Sequence, residues 1–389
     1  MDARNIGLRN IEVADTRICA IDGENGKLIY RGYDILDLVS HSTFEETCFL
    51  LLFGDLPTKS ELLQFTSGLK ETRILNDGIY RNLKNRPPTA RPMDILQSCT
   101  VELADYDPDI QDDTKETNVQ RAIMLISTIP TIVAAWNRIK NGLEPLEPLE
   151  ELTHAENFLY MLFGERPTHE VAKIFDICLI LHAEHSFNAS TFAAREIAST
   201  KAHLYASISG AIGALSGSLH GGANTQVMKM LLEIGESNNV ENWVVKKLKG
   251  NEKIMGMGHA VYRTTDPRAE VLYRLSKAIA RERNTPWFDI TEQIEKVTRT
   301  YFYENRRQSI YPNVDLYSAS LYYSLGIPRD LNTAIFAISR ISGWSAHVIE
   351  EKFAEAAPKP ALYRPKAVYV VRYCGPMVCE YNPIEKRPM

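Results

Sequence analysis

Apolar residues return at helical spacing along almost all of this 389-residue chain, and the alternating period of a strand is confined to two short stretches. Phe44, Cys48, Leu51 and Leu52 fall at i, i+4, i+7 and i+8, one face of a helix that Gly54 ends. Pro57 and Thr58 open the next, with Thr58 as N-cap before Glu61. Helical patterns then occupy 119–139, 170–216 (as two long helices), 224–235, 240–249, 266–282, 287–300, 315–325, 330–340 and 342–356. Residues 11–33, around Asp22-Gly23 and Gly32, alternate like a hairpin, and 367–372 form the other alternating run. The acidic stretch 104–116, with Pro108, and the Pro- and Glu-rich stretch 142–150 read as connectors. No repeat of 30–45 residues is present, which argues against a solenoid. The expectation is an all-α protein with a small N-terminal β element.

A chain of 389 residues exceeds what one hydrophobic core usually covers, so two domains are expected. The formal net charge is −5 and no basic block occurs, which points away from nucleic acid; a local arginine cluster would still suit a small anion. No run of 18 apolar residues suggests a membrane span, and the first residues lack the apolar core of a signal peptide, so the cytoplasm is the expected location. Of six cysteines, Cys19, Cys48, Cys99 and Cys178 stand singly among apolar residues and read as small core hydrophobes. Cys374 and Cys379 form a lone C-x4-C, too little for zinc, and a disulfide between them stays open.

Several segments carry potential chemistry. In 219–224, Gly221 and Gly222 break a helical pattern just after His220; by position alone a helix C-cap with an incidental histidine is the simpler reading. In 253–268, Lys253, His259, Arg263 and Arg268 gather around Gly256 and Gly258, a cationic cluster suited to an anionic ligand. In 310–318, Pro312 enforces an extended loop before Asp315, which alone reads as an N-cap. His182 and His185 stand three apart, with metal binding the minority reading. Arg340 and Arg364 alone read as surface or ion-paired arginines. The small residues Ala202, Ala206, Ser209, Gly210, Gly213, Ala214 and Gly217 suit either tight core packing or a subunit interface.

In order, 182–195 (HAEHSFNASTFAAR), 216–224 (SGSLHGGAN), 253–269 (KIMGMGHAVYRTTDPRA), 311–319 (YPNVDLYSA), 336–347 (FAISRISGWSAH) and 363–369 (YRPKAVY) resemble the citrate synthase family. So do 21–38 (IDGENGKLIYRGYDILDL) and 383–387 (PIEKR), and the resemblance covers nearly the whole chain. It implies an all-helical dimer, with a large domain over 1–221 and 327–389 and a small domain over 222–326. It implies His220, His259 and Asp315 as catalytic residues. His185, Arg268, Arg340 and Arg364 would bind oxaloacetate, Arg364 reaching the neighbouring subunit's site. Lys253, Ile254, Met255, Gly256, Met257 and Arg263 would hold CoA. Gln308-Ser309 stands where Lys-Gly is common, leaving Arg306 or Arg307 to supply that phosphate contact. The implied reaction is condensation of acetyl-CoA with oxaloacetate and hydrolysis of citryl-CoA, with no metal or organic cofactor. Use of propionyl-CoA, as in 2-methylcitrate synthases, is the alternative.

Overall fold

The computed structural model describes residues 6–8, 11–367, 369 and 381–387. Three short antiparallel strands come first: β1 (Cys19–Asp22), β2 (Lys27–Tyr30) and β3 (Tyr33–Asp34), with Cys19 opposite Tyr30 and Ile29 opposite Asp34. Sixteen α-helices follow among the described residues. The first eight are α1 (Ile35–His41), α2 (Phe44–Phe53), α3 (Lys59–Glu71), α4 (Asp77–Lys84), α5 (Pro92–Glu102), α6 (Lys115–Lys140), α7 (His154–Phe163) and α8 (His169–His182). The rest are α9 (Ala189–Ser199), α10 (Leu204–Leu215), α11 (Gly222–Ile234), α12 (Val240–Lys249), α13 (Pro267–Glu282), α14 (Trp287–Arg306), α15 (Val314–Ser324) and α16 (Asn332–Lys352). The all-α expectation with a small β element holds. The alternating run at 367–372 and the pair Cys374 and Cys379 lie largely or wholly outside the described residues.

Local signals set many of these ends. Thr58 caps α3 in a reciprocal box with Glu61, and Gly54 ends α2 with φ 100°. Two expectations are corrected. The stretch 170–216 is three helices, because the chain turns at Ser186 (φ 50°) and Lys201 (φ 64°), and Asn188 and His203 each cap a new start. Conversely, 330–356 holds one long helix, α16, unbroken at Ser342-Gly343. A Cβ on Gly343 would come within 2.2 Å of Glu184 Oε2 and 2.3 Å of the Ala183 carbonyl oxygen, so close packing rather than a break explains this glycine.

α16 is apolar and buried along nearly its whole length and packs against α2, α6, α8, α9 and α10, so it forms the axis of the first group of helices. Trp344 of α16 and Trp136 of α6 are among the largest enclosed side chains. α6 is long and apolar enough to cross a membrane by composition, yet 83% of its most apolar window is buried inside the fold. A second group packs α13 and α11 on α15, and α12 and α15 on α14; α11 also touches α16, and α13 touches α8 and α1. Cys19, Cys48, Cys99 and Cys178 are buried free thiols, as expected. The small-residue face of α10 packs within the chain: a Cβ on Gly210 would strike Ile197 of α9, and one on Gly213 would strike Gln97 of α5.

Candidate active site

The two groups of helices meet where six of the seven catalytic and anion-binding candidates converge. His185 lies in the turn after α8, His220 just before α11, His259 in the loop before α13, Arg268 in the first turn of α13, Asp315 in the first turn of α15, and Arg340 midway along α16. The imidazoles of His185 and His259 are 5.4 Å apart, and both lie against Tyr262, at 5.7 and 4.8 Å. The Arg268 guanidinium acts electrostatically on His185, His259 and Asp315, and that of Arg340 on His185 and His220. Arg364 does not join them. It is exposed, next to Tyr363, which docks on Ser199 (3.4 Å) and Glu351 (2.9 Å) at the far ends of α9 and α16. Glu351 is 11 residues along α16 from Arg340, about 16 Å at helical rise.

The simpler readings of three residues are overturned. Asp315 is not the N-cap of α15: Asn313 caps it and takes the Asp315 N–H at 3.0 Å, leaving the Asp315 carboxyl out of the cap. His220 is not a C-cap: α10 ends five residues earlier, at Leu215, and His220 sits in the tight turn that opens α11. That turn needs Gly221, whose added Cβ would lie 2.6 Å from the Leu215 carbonyl oxygen. Arg340 is 1% exposed and not at the surface.

Hydrogen bonds assign the tautomers of two histidines. The backbone N–H groups of Val261 and Tyr262 both point at Nδ1 of His259, at 3.0 and 3.1 Å, so its ring proton sits on Nε2. The Ser190 N–H points at Nε2 of His220 at 3.3 Å, with the Ser190 hydroxyl 2.7 Å from the same nitrogen, so the proton of His220 sits on Nδ1. Burial and the positive charge of Arg340 push His220 down to about 4; burial and Arg268 do the same to His259. Both rings are therefore neutral single donors near pH 7. Burial pushes the Asp315 carboxyl up to about 7, with Arg268 opposing and Asp266 reinforcing the rise.

Buried polar atoms without partners stand among these residues. Arg340 spends Nε on the His182 carbonyl oxygen (2.7 Å) and lays its guanidinium over Phe336 (4.7 Å), but its Nη2 is unpaired, and so is Nε2 of His185. Arg268 is held by a buried two-point bond to Asp266, at 3.0 and 2.8 Å. An unpaired, buried Arg340 donor with the Arg268 guanidinium acting on the same histidine suits a small, multiply charged anion. His182 bonds the Cys178 carbonyl oxygen through Nδ1 (2.8 Å), a structural contact.

The 253–257 segment is laced to the Asp315 loop. Met257 bridges to Pro312, Gly258 N donates to the Tyr311 carbonyl oxygen (2.8 Å), and Asn313 N donates to that of Gly256 (2.9 Å). Gly256 has φ 81°, and an added Cβ would lie 2.9 Å from Leu316, so only glycine lets the loops approach so closely. Lys253 and Arg263 are exposed beside the buried Ile254 and Gly256, with Met255 and Met257 half-buried. Near Ser309, Arg306 stacks on Phe302 (4.6 Å), whereas Arg299, not singled out from sequence, lies over Tyr311 (5.3 Å) and lines a cavity of about 280 Å³ with Thr300 and Ser309. A larger cavity of about 550 Å³ near Tyr106 and Tyr205 has its one arginine, Arg121, spent on Asp107 and on the carbonyl oxygens of Asp109 and Asp112.

Sequence reasoning also missed the supports. Ser190 lies inside the 182–195 motif without having been given a role. Tyr30 of β2 donates to the Glu184 carbonyl oxygen (2.9 Å) and accepts the Glu184 N–H (3.2 Å), so the β element steadies the turn that carries His185. No local pattern marks these contacts.

A family model described as "Citrate synthase, C-terminal domain" matches residues 7–366. The chain is 40% identical to a citrate synthase of Haloferax volcanii, over 98% of both chains. It is 39% identical to a 2-methylcitrate synthase of Mycobacterium tuberculosis, over 95% of this chain and 90% of that one. Its fold matches a ternary complex of a Thermoplasma acidophilum citrate synthase with carboxymethyl coenzyme A and oxaloacetate, at TM-score 0.88 and 31% identity, over 97% and 98% of the chains. With a match this complete in sequence and in fold, the chain belongs to the citrate synthase family, as an acyltransferase of the citrate synthase type.

Proposed function

We propose that the chain condenses acetyl-CoA with oxaloacetate and hydrolyses the resulting citryl-CoA to citrate and CoA. Asp315 takes a proton from the acetyl methyl group, and the C–H pair moves into the enolate. His220 hydrogen-bonds from Nδ1 to the thioester oxygen as it gains charge and keeps its proton. The enolate carbon attacks the oxaloacetate carbonyl carbon, whose oxygen takes the Nε2 proton of His259, which water restores. The hydroxide so formed attacks the thioester carbon and stays as a carboxylate oxygen of citrate, CoA leaves carrying the second water proton, and Asp315 returns its proton to solvent. The observation that carries this reading is the pairing of two neutral imidazole donors of opposite tautomer with a carboxyl raised to about 7, beside unpaired Arg340 and His185. A carboxyl raised in this way is matched to proton transfer near neutral pH. The chemistry as written calls for no metal or organic cofactor.

His185, Arg268 and Arg340 would hold the two carboxylates of oxaloacetate, each charge-assisted bond contributing about 1.5–3 kcal/mol. Lys253, Ile254, Met255, Gly256, Met257 and Arg263 would hold CoA, with Arg299 as an added phosphate contact. Arg364, exposed here, would complete the site of a second copy in a homodimer. The unit 222–326 would close on 1–221 and 327–389 once oxaloacetate is bound, which makes binding ordered. The buried free thiols suit a cytoplasmic setting.

The 2-methylcitrate relative keeps propionyl-CoA as the second reading, a difference of one methylene, worth about 1–3 kcal/mol. The test is CoA release with oxaloacetate and either acyl-CoA, after dialysis against EDTA. A kcat/KM roughly 10-fold or more in favour of acetyl-CoA is expected. A preference for propionyl-CoA shifts the assignment to the second reading; no release with either, or loss of activity on dialysis, overturns the proposal.

A further inference from the structure

The elements bearing His220, Asp315 and Arg340 are tied together by one buried carboxamide, that of Asn224. It is 2% exposed and uses both of its ends. Its Oδ1 accepts the Nδ2–H of Asn332 at 2.6 Å, and its Nδ2 donates to the Ser318 hydroxyl. Ser318 in turn points its own proton at the backbone carbonyl of Asp315, at 3.5 Å. The donors run in one direction, from Asn332 through Asn224 and Ser318 to Asp315. Beside this chain, the Thr333 hydroxyl donates to the Gly221 carbonyl oxygen at 3.0 Å, gripping the turn next to His220. Ser318 and Asn332 are also buried, at 0% and 1% exposure, so water does not compete for these bonds.

The spacing gives the arrangement its meaning. Asn224 stands four residues after His220, and Ser318 three after Asp315, so the Asn224–Ser318 bond joins α11 and α15 about one helical turn from each reacting group. Asn332 and Thr333 open α16, which carries Arg340 further along. We propose that Asn224 is a positioning residue, which sets the distance and angle between His220 and Asp315. The inference rests on the acid–base roles given above. The methyl carbon that Asp315 deprotonates and the oxygen that His220 holds are two bonds apart in one acyl group, so the two side chains tolerate little relative drift. A displacement of about 1 Å costs on the order of 100-fold in rate. A leucine of similar volume would keep the packing of Asn224 and lose both bonds.

The test compares Asn224→Leu, Ser318→Ala and the double variant with the parent and with Asp315→Asn, in the full chain. Rates are normalised to folded protein by circular dichroism, and oxaloacetate affinity is measured by calorimetry. The expected result is a fall in kcat of roughly 10- to 100-fold in each single variant, with oxaloacetate affinity within about 2-fold of the parent. The double variant falls no further than the worse single one, because Asn224→Leu already breaks the bond to Ser318 that Ser318→Ala removes. Ser318→Ala, the smaller change, decides the matter if Asn224→Leu does not fold. Normal kcat in Ser318→Ala, losses that multiply in the double variant, or a loss of oxaloacetate binding equal to the loss of kcat each overturn the inference. If Asp315→Asn itself keeps normal turnover, the acid–base reading has failed; if that variant is inactive while Ser318→Ala is normal, only the positioning role has failed.

Discussion

His347 donates its Nε2–H to Oε1 of Glu184 across 3.0 Å, with both side chains fully enclosed. Its Nδ1 accepts from Arg195 at 2.9 Å, so the ring is a neutral bridge between an arginine and a carboxylate. Arg195 also holds Glu350 and Glu351, each at 2.7 Å. The far end of this network is the backbone turn that presents His185. The cluster thus steadies the turn that carries His185.

Removing the bridge is expected to be severe. His347→Ala leaves Glu184 and Arg195 each short of a buried hydrogen-bond partner, about 1–3 kcal/mol of unfolding free energy for each. Urea denaturation measures it. A change under roughly 1 kcal/mol would mean that the network adds little.

For Asp315→Asn, kcat should drop by several orders of magnitude while oxaloacetate affinity stays near the parent's. In the parent, kcat/KM should fall as the pH drops below about 7, where the raised Asp315 carboxyl becomes protonated. His220 and His259, at about 4, add no acid limb between pH 5 and pH 8. The folded state keeps a proton that the unfolded chain sheds from about 3.8 upward, so stability falls as the pH rises from about 3.8 to about 7 and levels off above that. Asp315→Asn should therefore melt higher than the parent at pH 8, with the gap closing toward pH 4. An equal gap at both pH values would remove the raised carboxyl from consideration.

Acid sensitivity has a separate source in His154. Burial, with the charge of Arg73 adding to it, pushes this ring down to about 3, and its Nε2 lacks a partner. The unfolded chain protonates His154 below about 6.5 while the folded chain refuses, so stability declines as the pH falls through that window. His154→Gln should flatten the drop in unfolding free energy between pH 6.5 and pH 4. An unchanged slope in urea titrations across that range would assign the drop to other groups.

Arg364→Ala should raise the KM for oxaloacetate while barely changing the melting temperature, since Arg364 is exposed in its own chain. Mixing it with Asp315→Asn under conditions that exchange subunits should restore part of the activity. Mixtures as inactive as their components would count against a site shared between copies.

Short-range rules set many of the helix ends. Thr58 and Glu61 form the expected capping box, Gly54 takes the left-handed turn that ends α2, and α12 runs over the expected residues, 240–249. Such features depend on atoms within a turn or two of helix, so neighbouring letters carry them. Six family motifs supplied the site candidates, because they stand in a fixed order along the chain and each carries at least one of them.

What folding alone could decide joins residues far apart in the chain. Ser190 meets His220 across 30 positions, Asn224 meets Ser318 across 94, and His347 meets Glu184 across 163. The same distances explain the misread helices. Ser342-Gly343 looks like a weak point until Glu184 packs against it, and Asp315 looks like a cap until Asn313 takes that place. Tautomers, burial and proton affinity belong to such encounters, because each depends on what the rest of the chain brings within a few ångströms.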